Sequence, residues 1–546
     1  MSWHESYDFV IIGSGGGAVS AALAVKEAGK SALIIEKQAR FGGSTAYSGG
    51  VLWIPNNYCL GRRDTPEKAA LYLDSLLGDV GPASSPARRQ AFIKRGTEMI
   101  DFLRRHGMKF KHAHWPDYYS DEAGGLAEGR SLISPMFDVN RLGGWRDRLA
   151  RFDAWPDVPI AVQEFRALGL AKRTWKGRFT ALRVGMRMAF KKVTGKLLRG
   201  SGNAIQGRLL EIALRERVPI LLSTPAQDLI TEGDRVTGVL AEHVGKQIRI
   251  EARLGVLINA GGFSRNKEMR DLYQPKPIDP GWTLANPGDT GEMIRVGMQL
   301  GAAVDLMNEA WWLPASMKPD GSFGGLHVPS DAGKPHVIIV DSNGKRIGNE
   351  ANAYMEFGQK MFAAHAVPAW AIIESRHRRN YPWGSTRPGN TPEDWIESGY
   401  MKRAETIEEL ARLCGIDAAG LRATVDRFNG FARVGRDDDF KRGYSAYNRY
   451  NGDSSHRPNA CLGTIEKPPY YAVALYPSDV GTAGGLLTDE YARVLRQDGS
   501  AITNLYATGN STASVMGRHY PGAGASIGAS FTFGYIAALH ACGSNR

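Results

Sequence analysis

Residues 7–18 have the sequence YDFVIIGSGGGA, an apolar run that passes directly into a glycine turn. Gly13 and Gly15 permit a tight turn and let the backbone approach a pyrophosphate without a Cβ in the way. A helix predicted from Ala18 to about Ala28 would point its N-terminal amides and its positive dipole end at the same group. The pattern therefore predicts a strand, a dinucleotide-binding turn and a helix, in that order.

A second apolar strand, residues 31–35, is followed at once by Glu36. This acid lies about 20 residues beyond the turn, where a carboxylate can accept hydrogen bonds from a ribose hydroxyl. A lone glycine motif is weak evidence, and the alternative is a glycine-rich turn in an ordinary α/β protein. Strand, turn, helix, strand and acid in this order favour a dinucleotide site, but they do not separate NAD from FAD.

The two ends of the chain are predicted to meet on one ligand. Residues 36–50, EKQARFGGSTAYSGG, place two diglycines and several small hydroxyl side chains just past the acid. They suit a backbone that follows an extended cofactor towards its flavin end. Near the C-terminus, residues 504–510 (NLYATGN) and 520–528 (YPGAGASIG) are predicted to close over the same cofactor.

These segments, together with residues 51–57 (VLWIPNN), 484–489 (GGLLTD) and 532–535 (TFGY), resemble the FAD-dependent flavoproteins of the fumarate-reductase type. Within that group the chain resembles the 3-ketosteroid Δ1-dehydrogenases over nearly its whole length. The resemblance implies FAD, a 3-ketosteroid substrate, 1,2-desaturation and an external quinone-like electron acceptor. We expect the FAD to be bound noncovalently, because the sequence shows no specific attachment signal. The alternatives are a 3-ketosteroid Δ4-(5α)-dehydrogenase, a fumarate-reductase-like enzyme and a non-catalytic flavin-binding protein of the membrane surface.

The predicted fold class is α/β. We expect a Rossmann-like FAD-binding domain that is split in sequence, formed by residues 1–281 and 481–546, with an inserted α+β substrate-capping domain at residues 282–480. Alternation predicts a hairpin over residues 235–241 and 247–252, and residues 253–263 are predicted as a separate buried strand that ends in a diglycine. Helices are predicted at residues 292–301, 406–413 and 418–434.

The predicted cofactor contacts follow the glycine turn, the ribose acid, the diglycine run and the C-terminal wall. Asp289 belongs to a Gly-Asp turn whose likeness to the family is weakened by an extra proline. The predicted contacts are Gly13, Ser14, Gly15, Gly16, Gly17, Ala18, Glu36, Lys37, Gly42, Gly43, Ser44, Thr45, Ser48, Gly49, Gly50, Ala226, Ala260, Gly261, Gly262, Asp289, Gly509, Asn510, Gly524, Ser526 and Ile527.

The resemblance also assigns the catalytic roles. The Tyr520 hydroxyl and the Gly524 N–H would hold the 3-keto oxygen, and Tyr354, in residues 349–354 (NEANAY), would take the C2 proton. Tyr118, in residues 115–119 (WPDYY), would hydrogen-bond that base, with Tyr119 as the alternative. Most of the 20 tyrosines are expected to be packing residues. A tyrosine base also poses a difficulty, since its ordinary pKa is about 10.

Composition excludes several classes of protein. The 546 residues, 43% apolar and 23% charged, suit a large globular chain. Four cysteines without CxxC spacing and twelve histidines without HExxH spacing indicate no metal site. We predict no signal peptide and no membrane span, and hence a cytoplasmic location, with the inner membrane face as a peripheral alternative.

The net charge of +12 is concentrated in residues 171–200, which contain ten basic residues and no acid. Apolar residues alternate with the basic ones, as in helices that lie on anionic bilayers. The alternative is a solvated basic face that packs on the protein by its apolar side. A nucleic-acid role is not indicated, because no nucleic-acid-binding module surrounds the segment.

Overall fold

The computed structural model describes residues 2–151 and 158–544. The helices in these ranges are α1 (Gly16–Glu27), α2 (Gly43–Tyr47), α3 (Pro66–Leu77), α4 (Pro86–Arg105), α5 (Glu164–Gly169), α6 (Trp175–Thr194), α7 (Ser201–Arg215), α8 (Lys267–Tyr273), α9 (Glu292–Gln299), α10 (Tyr354–Ala363), α11 (Ser375–Asn380), α12 (Glu393–Glu397), α13 (Ile407–Cys414), α14 (Ala418–Val434), α15 (Ala446–Asn451) and α16 (Ala525–Ala541).

The strands in the same ranges are β1 (Glu5–Ile12), β2 (Ala32–Ile35), β3 (Val51–Trp53), β4 (Lys111–His112), β5 (Ser131–Ile133), β6 (Phe137–Asp138), β7 (Leu198–Arg199), β8 (Ile220–Leu221), β9 (Ala226–Glu232), β10 (Arg235–His243), β11 (Lys246–Ile258), β12 (Val304–Asp305), β13 (Ala310–Met317), β14 (Phe323–Leu326), β15 (Val337–Val340), β16 (Ala369–Glu374), β17 (Met401–Ala404), β18 (Tyr470–Thr482), β19 (Gly485–Leu486), β20 (Arg493–Leu495) and β21 (Ala501–Ala507).

The larger sheet has the N-terminal strand near its centre. Its order is β20-β21-β10-β11-β1-β2-β8, with β9 on β10. β1 runs parallel to both neighbours, so that Val10 lies beside Leu33 of β2 and Val256 of β11. The apolar end of β1 is buried, as a parallel strand covered on both faces requires. The parallel arrangement confirms the predicted α/β fold class.

One strand of this sheet is longer than the sequence pattern indicates. The separate strands predicted at residues 247–252 and 253–263 form the single strand β11. Its first half pairs antiparallel with β10, and its second half pairs parallel with β1. The predicted break is a bulge, because the register against β1 shifts between Tyr7–Ala252 and Phe9–Gly255.

The two ends of the chain meet where α1 packs against α16. A Cβ on Gly534 of α16 would lie 2.5 Å from the Gly17 carbonyl oxygen of α1, so the helices approach at backbone distance. The Ser20 hydroxyl donates to the Phe531 carbonyl across the same contact, at 3.0 Å. This contact brings the N-terminal glycine turn and the C-terminal wall to one place.

A second sheet of six antiparallel strands is formed by residues between Ala310 and Thr482. Its order is β14-β13-β18-β16-β15, with β17 also on β18. α10 packs on β13 so closely that a Cβ on Gly358 would lie 2.4 Å from the Trp312 Cβ. The helix predicted at residues 418–434 is α14, and the one predicted at residues 292–301 is the shorter α9. We propose that the two sheets are the cores of the two predicted domains.

The basic segment contains α6, a helix of 20 residues. Gly177, Thr180 and Val184 are buried on one face of it. The alternative, in which the segment packs on the protein by its apolar side, does not hold for most of the large apolar side chains of α6, because they are exposed. In the described ranges no helix combines the length and apolar character that a membrane crossing needs.

Candidate active site

One cavity of about 700 Å³ is lined by residues from both ends of the chain and from the second sheet. We call its glycine-rich part, around Gly13, Glu36 and Ser44, the cradle end. The part around Tyr118, Tyr354, Tyr520 and Gly524 is the phenol end. The predicted cofactor contacts that line the cavity are Gly13, Ser14, Gly15, Gly16, Glu36, Lys37, Gly43, Ser44, Thr45, Ser48, Gly49, Ala226, Ala260, Gly261, Asp289, Gly509, Asn510, Gly524, Ser526 and Ile527.

The other five predicted contacts do not line the cavity: Gly17, Ala18, Gly42, Gly50 and Gly262. A Cβ on Gly17 would lie 2.6 Å from the Ser530 carbonyl oxygen, one on Gly50 would lie 2.2 Å from that of Ser201, and one on Gly262 would lie 2.0 Å from the Thr482 hydroxyl oxygen. A Cβ on Gly42 would crowd the Ala46 side chain, and Ala18 is fully buried in α1. Close packing by itself accounts for glycine at four of these positions, and cofactor contact at all five stays a prediction.

The turn after β1 depends on glycine at its first position. Gly13 has a φ of +98°, and a Cβ there would lie 2.3 Å from the Asn259 carbonyl oxygen. The next residue, Ser14, donates from its N–H and its hydroxyl to Glu36 Oε2, at 2.9 and 2.6 Å. The Gly42 N–H donates to the Ser14 hydroxyl at 2.8 Å. Ser14 thus fixes the predicted ribose acid and the diglycine run relative to each other.

Further along the cradle end, a buried carboxyl group lies among amides and hydroxyls. Burial raises the pKa of Asp289 to about 7, although the Ser44 hydroxyl, which donates to it at 3.0 Å, acts in the opposite direction. Asn286 also lines the cavity, and its buried Nδ2 has no hydrogen-bond partner in the described part of the chain. A buried, unpaired amide donor in the wall suits a polar ligand. Asn286 was not among the predicted cofactor contacts, although it directly precedes the Pro-Gly-Asp sequence.

Three predicted tyrosines meet at the phenol end. The ring centroids are 5.4 Å apart for Tyr118 and Tyr354, 5.5 Å for Tyr118 and Tyr520, and 5.2 Å for Tyr354 and Tyr520. They come from the loop between β4 and β5, the first residue of α10 and the loop before α16. The Tyr118 N–H donates to the Pro521 carbonyl at 2.9 Å, which joins two of these segments directly.

Burial is the largest influence on the pKa values of Tyr354 and Tyr118. The pKa of Tyr354 lies well above its usual value, first because it is buried and then because of Tyr118 and Tyr520. Burial also raises the pKa of Tyr118, while its hydrogen bond with Tyr354 acts in the opposite direction. The two hydroxyls are therefore coupled, but the difficulty of a tyrosine base is greater here than in water.

The structure favours Tyr118 over its neighbour Tyr119 as the partner of Tyr354. Tyr118 lines the cavity, whereas Tyr119 packs edge-on against His519, with ring centroids 5.9 Å apart, outside the lining. The Tyr119 hydroxyl is buried and has no hydrogen-bond partner among the described residues. The two adjacent phenols are not equivalent, because successive side chains of this loop point in different directions.

Gly524 directly precedes the first residue of α16. Its φ is +91°, and a Cβ there would lie 2.1 Å from the Val51 carbonyl oxygen, so the position requires glycine. The Gly524 N–H has no acceptor in the described parts of the chain. The first-turn amides of α16 have no partner within the helix. The Tyr520 hydroxyl lies 3.1 Å from that of Ser526, beside the same helix start.

A buried ionic network holds the loop that carries Tyr118. Arg130 pairs with both Asp64 and Asp117, and all three side chains are fully buried. The indole N–H of Trp53 donates to Asp117 at 2.8 Å. Breaking such a network would leave unpaired buried charges. The network therefore fixes the loop at Asp117, the residue before Tyr118.

The cavity wall carries little positive charge. Among the described lining residues, Lys37 is the only cation, and it pairs with Glu292 at 3.0 Å. Arg518, which the sequence places beside the phenol end, pairs with Glu309 at 2.6 Å instead. The described chain also holds no cluster of three or more His, Cys, Asp or Glu side chains that could bind a metal ion. The phenol end is therefore suited to a neutral, apolar ligand.

Comparisons with known proteins agree with this geometry. The model of the FAD binding domain family matches residues 8–527. The 3-oxosteroid 1-dehydrogenase of Mycobacterium tuberculosis is 41% identical over 98% of both chains. The 4-oxocyclohex-2-ene-1-carboxylate 5-dehydrogenase of Sinomonas cyclohexanicum is 34% identical over 97% of this chain and 92% of its own.

A solved structure is similar over the whole chain. The 3-ketosteroid Δ1-dehydrogenase of Sterolibacterium denitrificans, in complex with 1,4-androstadiene-3,17-dione, superposes with a TM-score of 0.92 and 36% identity over 99% of this chain and 100% of its own. The glycine turn, the fixed acid and the unpaired amide at Asn286 fit FAD in the cradle end. The chain belongs to the family of FAD-binding flavoproteins that includes the 3-oxosteroid 1-dehydrogenases.

Proposed function

We propose that this protein is a 3-oxosteroid 1-dehydrogenase, which uses FAD to introduce the C1–C2 double bond of a 3-ketosteroid. The observation that carries the proposal is the shared cavity, in which three phenols and the Gly524 N–H lie in continuity with a cradle for FAD. The named relative at 41% identity and the superposed structure support the same activity. An external quinone-like acceptor would take the electrons afterwards.

The residues of the phenol end would divide the reaction between them. The Tyr520 hydroxyl and the Gly524 N–H would donate to the 3-keto oxygen, where negative charge develops as the neighbouring carbon loses a proton. Tyr354 would accept the C2 proton, and Tyr118 would hydrogen-bond the Tyr354 oxygen and stabilise its ionised form. Bound FAD supplies the acceptor for the hydride that leaves C1.

The charge of the wall separates this function from its rivals. A dicarboxylate such as fumarate requires cations in the site, and the one cation among the described lining residues, Lys37, already has Glu292 as its partner. The same argument disfavours a ring ketone that carries a carboxylate. A Δ4-(5α)-dehydrogenase resembles the chain only at 20% identity, with a TM-score of 0.67, which shows a common fold alone.

The decisive experiment mixes the FAD-loaded protein with androst-4-ene-3,17-dione in the absence of air. We expect the visible absorbance band of oxidised flavin to bleach after mixing. Mass spectrometry should then detect the 1,4-diene product in an amount equal to that of the reduced flavin. Fumarate and a cyclohexenone carboxylate serve as controls and should leave the band unchanged. A flavin that stays oxidised with every 3-ketosteroid tried would refute the proposed function.

A second part of the proposal concerns an anionic membrane surface. The exposed apolar side chains of α6 are spaced three or four residues apart and so form one stripe, 57–84% exposed. Arg183 and Arg187 pair with Glu164, each at 2.7 Å, and further cations flank the stripe. The stripe consists of Trp175, Phe179, Leu182, Met186, Phe190 and Val193.

Helix α5, which packs against α6, is connected to the cavity wall. Val162, two residues before α5, lines the cavity, and Arg166 of α5 lies over the Tyr450 ring at 4.2 Å. Tyr450 in turn stacks on Trp115, another lining residue, at 5.7 Å. We propose that α6 adsorbs on an anionic bilayer and lets a lipid-dissolved steroid reach the phenol end from the membrane.

Vesicle co-sedimentation tests this part. We expect binding to vesicles that contain phosphatidylserine at low salt, release at high salt, and no binding to neutral vesicles. Replacing Phe179 and Phe190 by serine should abolish binding, whereas the same change at Leu413 and Val434, exposed apolar residues elsewhere, should not. Binding that ignores salt and lipid charge would refute surface adsorption through this helix.

A further inference from the structure

A fourth tyrosine that the sequence analysis did not identify lies directly behind Tyr118. Tyr447, on α15, stacks on the Tyr118 ring with centroids 4.4 Å apart and planes 30° from parallel. It is 1% exposed, and both Tyr447 and Asn451 line the cavity. The Tyr447 contact is closer than those that Tyr118 makes with Tyr354 and Tyr520.

The backbone of α15 is fixed to the loop that carries Tyr118. The Tyr447 N–H donates to the hydroxyl of Ser120, two residues after Tyr118, at 3.2 Å. At the other end of the helix, Asn451 Nδ2 donates to the Tyr447 carbonyl at 3.0 Å. Tyr447 is therefore held in place from both sides, independently of its contact with the Tyr118 ring.

A buried ammonium group secures the same helix from behind. Lys334 Nζ donates to the Asn451 carbonyl and, at 3.0 Å, to that of Ser330, which also lines the cavity. Within the described ranges, no carboxylate lies at ion-pair distance from Lys334. The buried ammonium group of Lys334 donates to main-chain carbonyls and so joins two parts of the cavity wall.

The hydroxyl groups also influence one another. Burial raises the pKa of Tyr447 well above its usual value, and the charge of Tyr354 adds to this, whereas hydrogen bonds with Asn451 and Tyr118 act in the opposite direction. The Tyr118 ring lies between those of Tyr354 and Tyr447, with centroids 5.4 and 4.4 Å away. The other ionisable group that raises the pKa of Tyr447 is Tyr119. Tyr118 is thus the middle member of a row of three phenols.

We propose that Tyr447 is a positioning residue of the dehydrogenase site, which holds the Tyr118 ring and hydrogen-bonds its hydroxyl so that Tyr118 can support proton removal by Tyr354. This inference rests on the proposed function. When Tyr354 accepts a proton from C2, the demand for a hydrogen bond at its oxygen changes, and Tyr118 can respond only if its own hydroxyl has a second partner. Asn451 supports Tyr447 by donating to its main-chain carbonyl.

The test is the variant Tyr447→Phe, which keeps the ring stack and removes the hydroxyl. We expect the rate constant for flavin reduction by androst-4-ene-3,17-dione to fall about two- to tenfold, the effect of one hydrogen bond. The substrate concentration at half-saturation should stay unchanged, and the pH profile of the rate should move to higher pH.

Tyr450→Phe is the matched control, because Tyr450 lies on the same helix but does not line the cavity. It should match the wild-type rate and pH profile. The inference is overturned if Tyr447→Phe keeps the wild-type rate and profile, or if both variants lose rate equally without a pH shift. If the wild-type protein itself reduces no flavin with any 3-ketosteroid, it is the proposed function that fails.

Should Tyr447→Phe fail to retain FAD, 3-fluorotyrosine at position 447 replaces it. This residue nearly preserves the size of the ring and makes its hydroxyl more acidic. A pH profile that differs from that of the wild type would support the hydrogen-bonded row. A profile identical to the wild type would contradict it, because a hydroxyl outside the row leaves proton removal unaffected.

Discussion

The cradle end of the cavity is formed mainly by backbone from a few continuous segments, whereas the phenol end is formed by side chains from four distant ones. Gly13 and Ser14 lie within one turn, and Glu36 is fixed to them by two hydrogen bonds. Tyr118 and Tyr354, by contrast, are far apart in the sequence, and only the fold brings their ring centroids to 5.4 Å. A site formed by backbone tolerates many side chains but few backbone conformations. A site formed by side chains depends instead on which side chains are present. Substitutions should therefore separate cofactor retention from chemistry.

The largest expected effect is that of Tyr354→Phe at the phenol end. Loss of the base should lower the rate of flavin reduction by roughly 10² to 10⁴-fold, while the protein stays yellow because the cradle end is untouched. Anaerobic stopped-flow absorbance measures the rate. Tyr119→Phe removes a neighbouring buried phenol outside the lining and should stay near the wild type. A Tyr354→Phe rate within threefold of the wild type would remove its assigned role.

A slightly smaller effect is expected for Tyr520→Phe. Removing one donor to the developing oxyanion should lower turnover by roughly 10² to 10³-fold, because the Gly524 N–H remains as the second donor. Steady-state turnover with a dye acceptor measures the loss. Tyr506→Phe is the control, since its hydroxyl bonds His540, 2.9 Å away, outside the cavity. Equal turnover in both variants would show that the Tyr520 hydroxyl does not hold the ketone.

Gly13→Ala tests the cradle end. Its φ of +98° and the nearby Asn259 carbonyl should strain the turn and weaken FAD binding by roughly 5- to 100-fold. Flavin released into a dialysis buffer measures the affinity. Gly29→Ala, with a φ of +72° and no neighbouring atom within 4 Å, controls for backbone strain alone. If Gly13→Ala retained FAD as well as Tyr354→Phe does, the contrast between the two ends would fail.

The last prediction concerns how the rate of flavin reduction depends on pH, and its effect is small when it is counted per pH unit. Burial raises the pKa of Tyr354 well above its usual value, so the neutral phenol dominates at pH 7 and the ionised fraction rises with pH. Below that pKa we expect the flavin reduction rate to increase by up to about tenfold per pH unit. The measurement is the reduction rate from pH 6 to 10 at saturating substrate. A rate that falls as the pH rises across this range would contradict a tyrosine base.

Much of the cradle end could be predicted from the sequence because its parts are local. Strand β1, the turn at Gly13 and the acid after β2 follow one another within residues 5–36, and each has a pattern of its own. The role of each glycine could not be predicted in this way, because a residue without a side chain serves a ligand and a close helix crossing equally well. Gly17 and Gly262 are cases in which packing is the reason for glycine.

The sequence by itself determined the α/β class, the FAD cradle and the kind of side chain that would do the chemistry, because these depend on local spacing and on resemblance to a family. Only the tertiary structure decided which phenols meet, why Tyr118 rather than Tyr119 faces the cavity, and that Tyr447 stands behind it. It also decided that the apolar stripe of α6 faces outward. The physical reason is that direction and proximity of side chains are set by contacts between distant segments, which no local pattern contains.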